Sequence, residues 1–301
     1  MNNYLITIIG ATAIGKTALS IKLAQYFNTE IISSDSRQFY KEMRIGTAVP
    51  SEKELLEVTH HFIQNISIFD AYSVGQFEKD VLHKLQDLFL KNNIVVMVGG
   101  SGLYTQAVIE GLDYFPEINP EIRLKLNQQL KNEGLEILQN KLKELDLISY
   151  NTIEIENPHR LIRALEICIG TGKPYAAFKN QSKEKRTFIP IKIGIEADRE
   201  LLYNRIHKRV DLMFKEGLLE EAKNLYKYKD LNALQTVGYR ELFNYFDGNC
   251  TLDFAIEEIK KNTRRFAKRQ ITWNKKDTTI HWFNYEENTS EIIKKIEEII
   301  T

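Results

Sequence analysis

The chain has 301 residues, and its 41 basic and 41 acidic side chains give a formal net charge of zero. A hydrophobic fraction of 43% with 27% charged residues is ordinary for a globular protein and excludes a disordered chain, a collagen-like repeat and a disulfide scaffold. Two cysteines, Cys168 and Cys250, are too few for a cysteine-based zinc site and suit a reducing compartment. No apolar run reaches the ~18–20 residues of a membrane span.

The apolar run Tyr4 to Ile9 suits a buried parallel strand. A glycine-rich turn follows. Apolar residues at Ala18, Leu19, Ile21, Leu23 and Ala24 then predict a helix from Lys16 to Phe27. Glu30 to Ser33 reads as a second short strand and residues 75–91 as a helix. Ile94 to Val98 reads as a buried strand that ends in Gly99-Gly100-Ser101-Gly102. From Pro120 to Lys183 the pattern is helical and rich in Leu, Lys, Glu and Asn, with turn-like flanks. Ile189 to Ile195 is another strand. After Asp198 the pattern is helical again, apart from a strand at Thr279 to Phe283. Strands alternating with helices predict a parallel sheet. The middle stretch is expected as an insertion, with residues 1–115 and 186–301 forming the α/β core and 116–185 the helical insertion. The N-terminus MNNYLITIIG carries no basic region ahead of its apolar run, so a cytoplasmic location is expected rather than secretion.

Gly10-Ala11-Thr12-Ala13-Ile14-Gly15-Lys16-Thr17 fits GxxxxGK[ST] in full, after a strand and opening a helix. In such a loop, backbone N–H groups turn inward around a phosphate, and the helix N-terminus adds a positive dipole end. Lys16 brings a point charge, and Thr17 offers its hydroxyl to a magnesium ion. The expected fold class is therefore α/β: a P-loop NTPase-like parallel sheet with a helical insertion and a helical C-terminal region. The motif marks binding of a diphosphate or triphosphate, ATP included, and not hydrolysis. Many P-loop NTPases end an apolar strand in an Asp that helps hold magnesium. Here the run IVVMV ends in Gly99-Gly100-Ser101, which moves weight away from an ATPase.

Ser33-Ser34-Asp35-Ser36-Arg37-Gln38 follows the second strand. In an open parallel sheet, ligands bind beyond the carboxyl ends of the strands, so Asp35, Ser101 and the phosphate loop share one crevice. Asp35 there either accepts a proton from a nucleophile or simply shapes a turn. Residues 260–276 hold Lys260, Lys261, Arg264, Arg265, Lys268, Arg269, Lys275 and Lys276 and no acid. Such a stretch can neutralise phosphates locally, or it can be a solvated helix face. Phe266 and Trp273 lie among these cations as core anchors or base-stacking platforms. In the insertion, Asn157-Pro158 reads as an N-cap with proline at N1, which puts Arg160 and Arg163 on one helix face. Their bland reading is salt bridging with Glu156 or Glu166. His159 lacks a metal-ligand partner at suitable spacing.

GATAIGKT, SSDSRQ, VGGSGLY, NPHRLIRALE, RVDLMFKEGLLEE, TVGYRE and RFAKRQITW stand in the order found in tRNA dimethylallyltransferases. The resemblance runs from residue 10 to residue 273, nearly the whole chain, and several of these motifs are specific to that family. It implies transfer of a dimethylallyl group from dimethylallyl diphosphate to N6 of the adenosine just 3′ of a tRNA anticodon, in tRNAs that read codons beginning with uridine. The phosphate loop, residues Gly10 to Thr17, then holds the diphosphate of the prenyl donor. Asp35 takes the amino proton and Ser101 hydrogen-bonds a leaving diphosphate oxygen. Lys16, Thr17 with Mg2+, and either Arg205 or Arg209, with Arg209 favoured, stabilise the diphosphate. Carried over motif by motif, the tRNA contacts are Asp35, Ser36, Arg37, Gln38, Ser101, Arg123, His159, Arg160, Leu161, Ile162, Arg163, Gly238, Tyr239, Arg240, Lys268, Arg269, Gln270 and Trp273. An anticodon stem-loop partner, a monomeric state and a channel between core and insertion are further expectations.

The chain departs from the family pattern at Ala11, Ile14 and Ser101, where Pro, Ser and Thr are common. The first two sites act through backbone N–H groups, and serine keeps the hydroxyl of the third. No C-terminal zinc finger of the eukaryotic kind is present in this sequence, which suggests the compact bacterial type. Three alternatives stand beside this reading. A small-molecule P-loop kinase has no use for the insertion or the basic stretch. An adenylate isopentenyltransferase, which shares the N-terminal half, would act without RNA. An RNA-binding ATPase lacks its expected acid.

Overall fold

In the computed structural model, which describes residues 2–179, 181 and 184–301, one sheet contains β1 (Tyr4–Gly10), β2 (Ile31–Ser33), β3 (His60–His61), β4 (Ile94–Val98), β5 (Ile189–Glu196) and β6 (His281–Asn284). Its order is β3-β2-β4-β1-β5-β6, with every pairing parallel. The inner strands are buried on both faces, which is why β1 and β4 read as continuous apolar runs and not as alternations. The two faces are still distinct. Ile6, Ile8, Ile31, Val96 and Val98 pack into one core, and Leu5, Ile32, Val95 and Met97 into the other.

Four helices belong to the first part of the chain: α1 (Lys16–Tyr26), α2 (Glu52–Glu57), α3 (Val74–Phe89) and α4 (Gly102–Glu110). α1 contributes Leu19, Ile21 and Leu23 to the first core, and α3 contributes Phe77, Val81 and Leu85 to the second. α2 and β3 were not among the expected elements. α2 is short, but its start is written in the sequence: Ser51 and Glu54 form a reciprocal capping box.

Residues 111–185 form a compact unit of their own, and residues 1–110 with 186–301 form the other. The smaller unit thus begins at Gly111, earlier than the expected boundary at 116. It contains α5 (Pro120–Glu133), α6 (Leu135–Leu145), α7 (Leu147–Thr152) and α8 (Pro158–Thr171) around a core of Leu126, Leu138, Leu142, Leu161, Ile162 and Leu165. Both α5 and α8 start at Asn-Pro, with the Asn side chain accepting from the first helical N–H groups. Positions 180, 182 and 183, at the end of the expected helical stretch, lie outside the described residues.

The remainder is α9 (Arg199–Lys215), α10 (Leu218–Leu225), α11 (Tyr239–Phe246), α12 (Leu252–Asn274) and α13 (Thr289–Ile300). α10, α11 and α12 enclose a third core around Leu218, Leu225, Tyr239, Leu242 and Ile259, which also takes in Tyr40, Met43 and Ile68. The expected strand at 279–283 is β6, shifted to His281–Asn284.

Candidate active site

The neighbours β2, β4 and β1 end side by side, so their following loops converge: Ser34–Gln38, Gly99–Ser101 and the phosphate loop Gly10–Thr17. The first two loops touch so closely that only glycine fits at position 99. A Cβ there would lie 2.2 Å from Ser34 Oγ and 2.5 Å from the Ser34 carbonyl carbon.

Lys16 Nζ donates to the carbonyls of Gly10 (3.0 Å) and Ala11 (2.8 Å), folding back over its own loop. Burial pushes this ammonium down from the usual lysine value to about 8, while Asp35 pulls it up and Arg209 pushes it down. A bound diphosphate favours the charged form and raises that value, so binding above about pH 8 takes up a proton. Affinity for inorganic diphosphate is therefore expected to fall by up to about tenfold per pH unit above that point, and to be independent of this group below it. Titration calorimetry in buffers of differing ionisation enthalpy reads the proton uptake. An affinity that is flat between about pH 7 and 9, with no proton uptake, would remove Lys16 from the diphosphate site.

The two arginines of RIHKRVD, both on α9, take different positions. Arg209 lines a cavity of about 540 Å³ together with Asp35 and Ser101. Its Nη1 donates to Thr12 Oγ1 at 3.5 Å. Burial lowers its pKa, Asp35 raises it and Arg205 lowers it again, so Arg209 stands in the field of both the acid and its neighbouring cation. Arg205 is not among the residues lining that cavity. Its Nε donates to the Ala13 carbonyl (2.8 Å), its Nη1 donates to the Tyr285 hydroxyl (2.6 Å), and its guanidinium lies over the Tyr285 ring. Ala13 has φ +64°, a left-handed conformation that costs a non-glycine residue about 1–2 kcal/mol. Arg205 braces that strained turn.

Asp35 shapes the turn, and its second oxygen is left toward the crevice. Oδ1 accepts the Arg37 backbone N–H (3.1 Å) and shapes the turn, while Oδ2 faces Gly100. Ser101 Oγ accepts the Ser36 N–H (3.0 Å) and donates to Ser36 Oγ (2.9 Å). The arrangement brings one carboxylate, two hydroxyls and the Arg209 guanidinium to one cavity large enough for a nucleobase, with the Lys16 ammonium in the field of the same carboxylate. It can bind an anionic leaving group and remove a proton from a nucleophile.

Several residues expected to contact RNA are committed elsewhere. Arg37 Nη1 donates to the carbonyls of Asn232 and Ala233, both at 2.9 Å. Gln38 Nε2 donates to Thr47 O (3.3 Å) and Ala48 O (2.9 Å). Tyr239 is fully buried with its hydroxyl on Glu221 Oε1 at 2.6 Å, and that burial pushes its phenol well above the ordinary tyrosine value. Leu161 and Ile162 are core residues of the smaller unit. They occupy the inward face of α8, so their side chains present no surface to a partner. Gly238 is buried, with φ +100° at the start of α11.

Gln270 is also an internal residue. Its Oε1 accepts the Thr12 N–H at 2.8 Å and its Nε2 donates to Gly100 O at 2.7 Å, so one carboxamide ties the phosphate loop to the turn after β4. Two such bonds are worth about 1–3 kcal/mol together. Gln270→Ala is expected to raise the KM for the diphosphate substrate about tenfold while leaving RNA affinity within about twofold. A rise in the RNA Kd alone would restore Gln270 as a surface contact.

Arg240, Lys268, Arg269 and Trp273 are exposed, and Arg240, Arg269 and Trp273 line the 540 Å³ cavity. Trp273 is 43% exposed and lies against Gly102, where a Cβ would stand 2.5 Å from its Nε1. It is not a core anchor but part of the cavity wall. The basic stretch is not uniform. Lys260 pairs with Asp211 and Glu257, Lys261 pairs with Glu258, and Arg264 is held by His207 and Tyr203. Among the described residues no acidic partner lies within ion-pair distance of Arg265, Lys268, Arg269, Lys275 or Lys276, which are all exposed.

Within the smaller unit, the carboxylate of Glu166 is buried and accepts from Arg123 (2.9 Å) and Arg163 (2.8 Å). Both guanidinium groups remain partly exposed. Arg160 pairs with Glu154 at 2.9 Å, not with Glu156, and His159 is exposed.

Magnesium prefers oxygen ligands and keeps several waters. No cluster of three His, Cys, Asp or Glu side chains able to hold a metal is present among the described residues. Thr17, on the first turn of α1, supplies one hydroxyl. This donor set fits an ion held chiefly through diphosphate oxygens and not one caged by the protein.

The IPP transferase family model matches residues 38–277. The chain is 63% identical to the tRNA dimethylallyltransferase of Christiangramia forsetii, over 100% of this chain and 99% of that protein. It is 61% identical to that of Flavobacterium psychrophilum, over 98% of each. Among solved structures it is similar to the full-length tRNA isopentenylpyrophosphate transferase of Bacillus halodurans, with 35% identity, a TM-score of 0.72, and coverage of 99% and 95% of the two chains. It is also similar to a eukaryotic dimethylallyltransferase acting on tRNA, with 27% identity, a TM-score of 0.79, and coverage of 94% and 74%.

Proposed function

The chain belongs to the IPP transferase family, and on that basis we propose that it moves a dimethylallyl group from dimethylallyl diphosphate to N6 of the adenosine just 3′ of a tRNA anticodon. The observation that carries this reading is the meeting of Lys16, after β1, and Asp35, after β2, with Arg209 of α9 beside one cavity at the carboxyl ends of the strands. In the proposed reaction the N6 lone pair attacks C1 of the donor. The C1–O bond breaks, and the diphosphate leaves with its electron pair. Asp35 takes the N6 proton. Lys16, Arg209 and the loop N–H groups hold the charge that grows on the leaving group, where fixed donors act most strongly. Ser101 turns its hydroxyl proton from Ser36 Oγ to a diphosphate oxygen. Mg2+, held by Thr17 and the diphosphate, would add further charge neutralisation when bound.

In this reading the phosphate loop serves the prenyl donor and not ATP, which is consistent with Gly99-Gly100-Ser101 where a magnesium-binding Asp would stand. Unpaired loop bases are the accessible targets for sequence-specific RNA recognition, and an adenine must leave its stack to reach the cavity. Arg240, Lys268 and Arg269 on the larger unit, and Arg123, His159, Arg160 and Arg163 on the smaller, would meet the stem-loop. No helix among the described residues is long and apolar enough to cross a membrane. A cytoplasmic monomer completes the proposal.

The test uses radiolabelled dimethylallyl diphosphate and magnesium, with an unmodified anticodon stem-loop, AMP or no acceptor. Label in the stem-loop, lost when the target adenosine is replaced by guanosine, is the expected result. Label only in AMP would mean free-nucleotide prenylation. ATP turnover without prenyl transfer would overturn the proposal.

A further inference from the structure

Glu221, on the first turn of α10, accepts four hydrogen bonds. Oε2 takes the backbone N–H groups of Arg44 (3.0 Å) and Ile45 (2.8 Å), and Oε1 takes the N–H of Gly46 (2.9 Å) and the hydroxyl of Tyr239 (2.6 Å). Successive N–H groups converging on one point form a concavity for an anion. Here the chain's own carboxylate fills it. Gly46 is pressed against the Tyr239 ring so closely that a Cβ would stand 2.7 Å from three of its atoms.

These contacts join two neighbouring segments that both line the 540 Å³ cavity. Gly46 and Thr47 belong to one, and Val237, Gly238 and Arg240, on either side of buried Tyr239, belong to the other. The segment that carries Asp35 is tied to the chain next to both. Gln38 donates to Thr47 and Ala48, and Arg37 donates to Asn232 and Ala233, a few residues before Val237. A change in the packing of these two segments would therefore change both the width of the cavity and the register of Asp35 at its wall.

We propose that Glu221 and Tyr239 are positioning residues that set the width of the acceptor cavity and, through it, the recognition of the extruded adenine. The proposal rests on the reading of the cavity as the acceptor site. Its expected signature is a loss of base recognition with retention of backbone binding. Hydrogen bonds to a charged group are stronger than neutral ones, and four of them on one carboxylate define one geometry. In Glu221→Gln, an amide donor replaces one acceptor oxygen and faces N–H groups or a hydroxyl. Tyr239→Phe removes one bond and keeps the ring against Gly46.

The experiment measures Kd by fluorescence anisotropy for two stem-loops, one with adenosine at the target position and one abasic there. Stacking and hydrogen bonding of one base in a pocket are worth about 1–3 kcal/mol, so the wild-type protein is expected to prefer the adenosine loop by about 5–150-fold. Glu221→Gln is expected to reduce that ratio to near one, with the abasic Kd within about twofold of wild type. Tyr239→Phe is expected to reduce the ratio several-fold, and it decides the matter if Glu221→Gln fails to fold by circular dichroism. A variant that keeps the wild-type ratio, or weakens both loops equally, overturns the proposal. So does a wild-type protein that binds both loops alike. Prenyl transfer by the wild-type protein is read separately. Absence of transfer with the base preference intact would refute the proposed chemistry and not the positioning role.

Discussion

Asp35→Asn is expected to bind the stem-loop with near wild-type affinity and to lose about 10²–10⁴-fold in kcat, the usual contribution of a general base. The substitution separates the two roles of this residue. An asparagine Oδ1 can still accept the Arg37 N–H and keep the turn, but the group no longer takes a proton. Single-turnover transfer of labelled dimethylallyl from the donor is the measurement, because it isolates chemistry from product release. A loss below tenfold would leave Asp35 a turn-former only. The pH must be chosen with care. Asp35 raises the pKa of both Lys16 and Arg209, so its removal lowers the Lys16 value below the present value of about 8. The comparison belongs near pH 7 or lower, where the smallest fraction of Lys16 is discharged.

Arg209→Met is expected to lower kcat by about 10²–10³-fold, the scale of one lost electrostatic donor to a developing charge. This guanidinium is set back from solvent, and among the described residues it makes only a long hydrogen bond, to the Thr12 hydroxyl. Its desolvation is offset when a diphosphate arrives, so the interaction strengthens as the leaving group gains charge. Removing it is not expected to lower Tm, because an incompletely paired, partly buried charge is lost with it. Arg205→Met should behave in the opposite way. It loses the brace on Ala13 and the stack on Tyr285, so Tm falls and donor KM rises, with a smaller effect on kcat. Thermal melts and steady-state kinetics on the two variants distinguish them. Equal kinetic profiles would mean that both arginines act on the diphosphate directly.

How the candidate site was legible depends on the range of each interaction. The phosphate loop, the following helix and the strands on either side could be read from the chain because their signals are local. They consist of an apolar run, a glycine spacing and helical periodicity over a dozen residues. The same holds for the Asn-Pro starts of α5 and α8, where each cap is satisfied within three residues. The convergence of Asp35 and Ser101 on the loop was also open to inference, since parallel strands present their carboxyl ends together.

The roles of the polar side chains were not legible in this way. Gln270 lies 258 positions from the Thr12 N–H it holds, and Arg37 lies 195 from the carbonyl of Asn232. In the sequence both look like residues offered to RNA, because a polar side chain beside basic ones carries no mark of whether it faces solvent or a buried backbone group. Tyr239, Leu161 and Ile162 were likewise read by their motifs and turned out to be packed inside. By itself the sequence determined the α/β framework, the phosphate loop and the chemical character of the site. The tertiary structure alone decided which cation faces the cavity, which braces the loop, and which polar groups are used up in holding the walls. A buried hydrogen-bond donor or acceptor must find a partner, and the nearest one in space is seldom the nearest one along the chain.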